Sequence, residues 1–122
     1  MRAEYVRQSV TTASPARLIT MLYDRLLLGL DRSLAALDTG KDPSTVHAEL
    51  VRGQLILDEL RFSLDHEAGG EIAANLRDLY DYCYETMVKA NVEKSGDGLV
   101  TVRQIIGELR DAWYQGVEQA QA

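Results

Sequence analysis

Apolar positions recur along the chain at steps of three and four in four blocks. That spacing turns one face of an α-helix toward a core. In the first block Ile19, Leu22, Tyr23, Leu26, Leu30, Leu34 and Leu37 share a face. The second is carried by Val46, Leu50, Leu57, Leu60 and Leu64. The third, with the clearest period, runs Ile72, Leu76, Leu79, Cys83, Met87, Ala90. The fourth runs Leu99, Val102, Ile106, Leu109, Trp113, Val117, Ala120. No stretch alternates as a strand would, and no segment repeats.

Local chemistry punctuates these blocks. Ser14-Pro15 and Asp42-Pro43 each place an N-capping side chain before a proline, the residue favoured at a first helical position. Gly40 offers a left-handed C-terminal stop. Gly69-Gly70 and Ser95-Gly96-Asp97-Gly98 read as turns, and Glu71 suits the positive end of a helix dipole. The predicted helices span about 15–38, 43–66, 71–94 and 99–120. Joined by short turns, they imply an all-α fold, an antiparallel up-down four-helix bundle in one domain. Residues 1–13 show no helical period and are expected to form a flexible or docked arm. Gly29, Gly53, Gly107 and Gly116 fall inside helices at about 1 kcal/mol each relative to alanine, which predicts close helix approach.

The first two helices carry more apolar surface than one core face needs. Opposite the first core stripe lie Met21, Leu28 and Ala35, rimmed by Asp24 and Asp31 on one side and Arg25 and Arg32 on the other. Opposite the second lie Ala48, Val51, Leu55 and Phe62. A four-helix core cannot cover both faces of two helices. The remaining stripes point to a partner helix, a second copy of the chain, or its own arm. Scattered apolar surface residues are also ordinary.

Composition narrows the function. The 122 residues carry a net charge of −6, with acids interleaved among the bases, which argues against nucleic acid and anionic membrane surfaces. No apolar run reaches the roughly 18 residues of a membrane span, and the first ten residues lack the apolar region of a signal peptide. A cytoplasmic protein without direct membrane insertion is expected. The lone Cys83 can form neither an internal disulfide nor a cysteine zinc site, and on the third seam it reads as a small buried hydrophobe. His47 and His66, read as opposite ends of the second helix about 28 Å apart, cannot share a metal. Neither has a glutamate three residues earlier, as a di-iron bundle would require. Asp78, Asp81 and Glu85 suit a solvated face. Tyr80 is placed near the core edge, and Tyr82 and Tyr84 at a rim or interface. No cofactor, metal site or catalytic group is predicted, and the chain reads as a non-enzyme.

Four segments carry a resemblance: SVTTASPARLITMLYD (9–24), GGEIAANLRDLYDYCYE (69–85), KANVEK (89–94) and ELRDAW (108–113). Their order and gaps resemble the flagellar export chaperone FliS family over almost the whole chain. The resemblance implies a helical bundle that binds the C-terminal helical segment of flagellin in the cytoplasm. It also implies that the bundle prevents premature polymerisation and aids delivery to a membrane protein of the flagellar export gate. It further implies that Tyr5, with Val10 after it, belongs to an N-terminal latch lying over the client groove between clients. Met21, Leu28, Ala48, Val51, Leu55 and Phe62 are the client-binding residues that the outer stripes suggest. A self-associating bundle, with these stripes forming a homodimer and no flagellin client, is the alternative.

Overall fold

The computed structural model describes residues 14–40 and 42–121, and side chains as far as residue 116. The expected arm, with Tyr5 and Val10, lies outside the described residues. So do the side chains of Val117 and Ala120. Four helices are present: α1 (Pro15–Thr39), α2 (Pro43–Phe62), α3 (His66–Glu93) and α4 (Leu99–Gln121). Among the described residues there is no strand.

The caps form as local chemistry dictates. The Ser14 hydroxyl accepts from the Arg17 N–H, and Gly40 takes a positive φ of 66° while its N–H closes onto the Ala36 carbonyl. The Asp42 carboxylate accepts from the Thr45 N–H. Bonds from the Thr45 hydroxyl, then its N–H, then the Ser44 hydroxyl hold the Asp42 carboxyl below its usual range.

One boundary differs from expectation. α2 ends at Phe62 rather than near His66, and α3 begins at His66 rather than Glu71. The cause is Asp65, whose carboxylate accepts from the N–H groups of Glu67 and Ala68 and so starts a helix ahead of the two glycines. Gly69-Gly70 is therefore not the interhelical turn. Gly70, at φ 51° and ψ −123°, is a kink inside α3, a conformation that only glycine adopts cheaply. His66 consequently belongs to α3, not to the end of α2.

The side-chain pairs that cross between helices fix the arrangement. Arg110 meets Asp24 and Arg103 meets Asp31, so α4 runs antiparallel to α1. Arg61 meets Asp81 and His47 meets Asn91, so α3 runs antiparallel to α2. α1 packs on α2 and α4, α2 on α3, and the α3–α4 contact is the sparsest of the four.

The core is the inner face of all four helices. Tyr23, Leu26 and Leu30 are buried as expected, with Ile19, Leu22, Leu34 and Leu37 packed against them. From α2 come Val46, Leu50, Leu57 and Leu60, together with the unforeseen Ile56. Leu64 packs on this core from just beyond the helix. In α4, Leu99, Val102 and Ile106 are fully covered, with Leu109 and Trp113 at the edge. α3 departs from the predicted seam: Ala73 and Tyr80 are buried, whereas Ile72 and Leu79 are exposed. Leu76, Cys83, Met87 and Ala90 keep their expected side. Tyr80 displaces Leu79 from the core because its hydroxyl finds a buried partner in Tyr23, which lowers the penalty on burying a phenol.

Of the four glycines expected inside helices, two mark close approach. A Cβ on Gly53 would strike Met87 and crowd Leu26, and one on Gly29 would strike the Glu49 side chain. Gly116 has nothing near it, and a Cβ on Gly107 would meet only the flexible end of Arg103, so close packing does not explain those two.

Candidate functional site

The outer stripes come out largely as exposed surface. On α1, Leu28 and Ala35 are exposed and Met21 is half-buried. On α2, Ala48 and Val51 are exposed, Leu55 is 62% exposed and Phe62 79%. Between the two stripes lies charge. Arg25 Nη2 donates to Glu49 Oε1 at 3.1 Å. Its Nη1 lies 3.0 Å from Oε2 at an angle outside hydrogen-bond geometry, a pairing by charge alone. Arg32 adds a second cation at 3.5 Å from Glu49. The hydrogen bond from Arg25 foremost, against some desolvation and with the neighbouring arginine charges, holds the Glu49 carboxyl below its usual range.

The charges flanking the α1 stripe thus have a structural task that the sequence reading missed. Arg25 and Arg32 tie α1 to α2, while Asp24 and Asp31 tie α1 to α4. Met21 and Leu28 lie one helical turn before Arg25 and Arg32. The ion pairs of Arg25 and Arg32 with Glu49 thus join the two helices that carry the stripes.

A second apolar feature has no counterpart in the sequence reading. At the end of the bundle where α1 begins and α2 ends, a cleft of about 620 Å³ opens. Pro15 and Ile19 form one wall, and Leu64 and Ala68 another; Ile72, Leu76 and Trp113 complete it, with Tyr23 and Tyr80 in the lining. Ile72, 71% exposed, belongs to this cleft rather than to the core. Trp113 is held by a 3.0 Å bond from its indole N–H to the Thr20 hydroxyl. The signal that could have found the cleft is the pair Ile72 and Trp113, two large apolar residues near the ends of their seams.

Three ionisable groups in or beside this region are shifted by burial. Tyr23 and Tyr80 share a 2.5 Å hydroxyl–hydroxyl bond, and desolvation raises both phenols above their usual range. Burial pushes the Cys83 thiol up to about 11, which keeps it protonated and unreactive near neutrality. Among the described residues, no three His, Cys, Asp or Glu side chains are grouped to hold a metal, and no helix is long and apolar enough to cross a membrane.

The described residues form an all-helical bundle with exposed apolar tracks on its outer faces. Comparison with known proteins says which kind. The model of the family described as flagellar protein FliS matches residues 1–121. The chain belongs to the FliS family. A FliS flagellar secretion chaperone of Bacillus subtilis strain 168 is 32% identical over 114 residues, which is 93% of this chain and 84% of that protein. That of Salmonella typhimurium strain LT2 is 34% identical over 110 residues, 90% of this chain and 82% of that protein. That of Vibrio cholerae is 34% identical over 111 residues, 90% and 80% respectively. FliS membership places the chain among flagellar secretion chaperones, as the four resembling segments imply. Among the described residues, this FliS bundle exposes apolar side chains along its outer tracks and in the end cleft.

Proposed function

We propose that this chain is a cytoplasmic export chaperone that holds the C-terminal helical segment of flagellin. It keeps that segment from polymerising early and brings it to a membrane protein of the flagellar export gate. The observation that carries this reading is the apolar surface the four-helix core leaves over. Leu55 and Phe62 stand exposed along α2, with Leu28 on α1. A filament subunit's terminal helix is apolar on the face that packs in the filament. Before assembly that face is an aggregation hazard, and apolar tracks on a helical chaperone can cover it. Family membership supports a role without a reaction or cofactor. Tyr5 and Val10 serve as a latch over the client surface between clients.

Calorimetric titration with the C-terminal segment of the same organism's flagellin tests this. One-to-one saturable binding with a negative heat-capacity change is expected. Replacing Leu55 and Phe62 with serine should weaken it about tenfold or more while the circular dichroism stays helical. Absence of binding, together with a mass that rises with concentration, would give the stripes to a homodimer instead.

A further inference from the structure

The end cleft is apolar, but among the described residues its lining holds one side-chain hydrogen-bond donor without an acceptor. The other side-chain donors of the described lining are used. The Ser63 hydroxyl donates to the Leu60 carbonyl, the Asp65 carboxylate caps α3, and the Trp113 indole donates to Thr20. Tyr23 and Tyr80 are different. Among the described residues their hydroxyls bond only to each other, and the two side chains are 4% and 3% exposed. Two hydroxyls carry two protons, and the bond between them uses one. Whichever tyrosine donates, the other O–H has no acceptor among the described residues. Water in the cleft, which both tyrosines line, would take that proton. An apolar segment that seals the cleft would expel the water and strand the donor, and an unmade buried hydrogen bond is expensive.

We propose that the Tyr23–Tyr80 pair is a polar selector for the client segment. The cleft takes a helical stretch of the client that is apolar except for one side-chain acceptor, an amide or hydroxyl oxygen, placed on the free tyrosine O–H. This rests on the chaperone reading above. The acceptor belongs to a side chain because a helix already uses its own carbonyls. It is neutral because a carboxylate would enter an apolar site beside Asp65, on a chain of net charge −6.

The chain's one tryptophan reports occupancy, since Trp113 lines the cleft. The full chain is titrated with the flagellin C-terminal segment while Trp113 fluorescence and calorimetric heat are followed. Each Ser, Thr, Asn or Gln of the segment is replaced in turn by Ala, Val, Leu or Met. One replacement should weaken binding about tenfold, equivalent to about 1.4 kcal/mol. Tyr23→Phe and Tyr80→Phe each leave one free O–H and should keep that discrimination. The double variant has none, and the same replacement should then change affinity no more than about twofold. A packing role for the rings would instead affect the single and double variants in graded fashion. The replacement series in the unmodified chain decides the matter even if the double variant does not fold.

Several outcomes overturn the selector. If heat shows binding while Trp113 is unchanged, the client sits elsewhere; the selector falls and the chaperone reading stands. If no replacement matters, or each matters equally in the double variant, the selector falls. If Tyr5→Ala shifts Trp113 without client and the client shifts nothing, the cleft belongs to the chain's own first residues. Absence of heat as well as signal overturns the chaperone reading and takes the selector with it.

Discussion

α4 is held differently on its two flanks. Toward α1 it is fastened at three levels. Arg103 meets Asp31 at 3.0 Å, Arg110 meets Asp24 at 2.8 Å, and Trp113 donates to Thr20 at 3.0 Å. Arg110 also stacks over the Tyr114 ring, 4.5 Å from its centre, which steadies the guanidinium. Toward α3, no side-chain hydrogen bond or ion pair crosses among the described residues, and contact is sparse. The two helices meet closely at their shared turn, where a Cβ on Gly98 would strike Thr86. Away from the turn, Leu79 and Ile72 are exposed on α3 and the end cleft opens. The bundle therefore resembles three fastened seams and one loose one. Apolar side chains on a loose seam are available to a partner without breaking any directional bond of the chaperone itself.

The largest test of this contrast is in the core. Ile106 is fully covered beneath α4, and Ile106→Ala should cost about 2–5 kcal/mol in urea unfolding. Leu79→Ala, on the loose seam at 37% exposure, should cost less than about 1 kcal/mol. Equal costs would mean that α3 and α4 are as tightly packed as the inner face. Thr20→Val is the next largest. It leaves the part-buried Trp113 N–H without its acceptor, so a loss of about 1 kcal/mol and a changed Trp113 emission are expected.

The α1–α4 ion pairs follow. Both are partly exposed, so Asp24→Asn and Asp31→Asn should each cost between about 0.2 and 1 kcal/mol. The cost should shrink as salt rises from 0.05 to 1 M (roughly a fivefold shortening of the screening length). A salt-independent cost would show that these pairs are effectively desolvated. The smallest effect concerns pH and the α1–α2 seam. Glu49 has its carboxyl pKa lowered in the folded state, so its contribution is present above its ordinary value of 4.5 and fades as pH falls through the lowered one. The stability gap between the native chain and Glu49→Gln should be full at pH 7 and narrow progressively below about 4.5. A gap that is flat across that range would assign Glu49 a packing role only.

Much of the fold is legible without coordinates because helix signals are local. Ser14-Pro15 and Asp42-Pro43 start helices where they should, since a cap acts within three residues of itself. The inner and outer faces of α1 and α2 also follow from periodicity, and Leu28, Val51, Leu55 and Phe62 emerge exposed. Asp65 was legible in principle, as a capping residue ahead of a helical run, but two adjacent glycines gave the stronger local signal for a turn.

What escaped the sequence involves partners distant along the chain. Hydrophobicity alone favours Leu79 over Tyr80 for the core. The choice is reversed by Tyr23, 57 residues away, whose hydroxyl makes burial of the phenol tolerable. Asp24 and Asp31 read as a solvated rim until α4 brings arginines to them from 86 and 72 residues on. Periodicity fixes the angle at which each side chain leaves its own helix. It does not fix which helix stands at that angle, nor how far two helices splay beyond their common turn. The sequence therefore determined that there are four helices, the inner faces of α1 and α2, and the family. Only the packing of four helices around Tyr23 and Tyr80 decided which charges became fasteners, which apolar residues stayed free, and where the cleft opened.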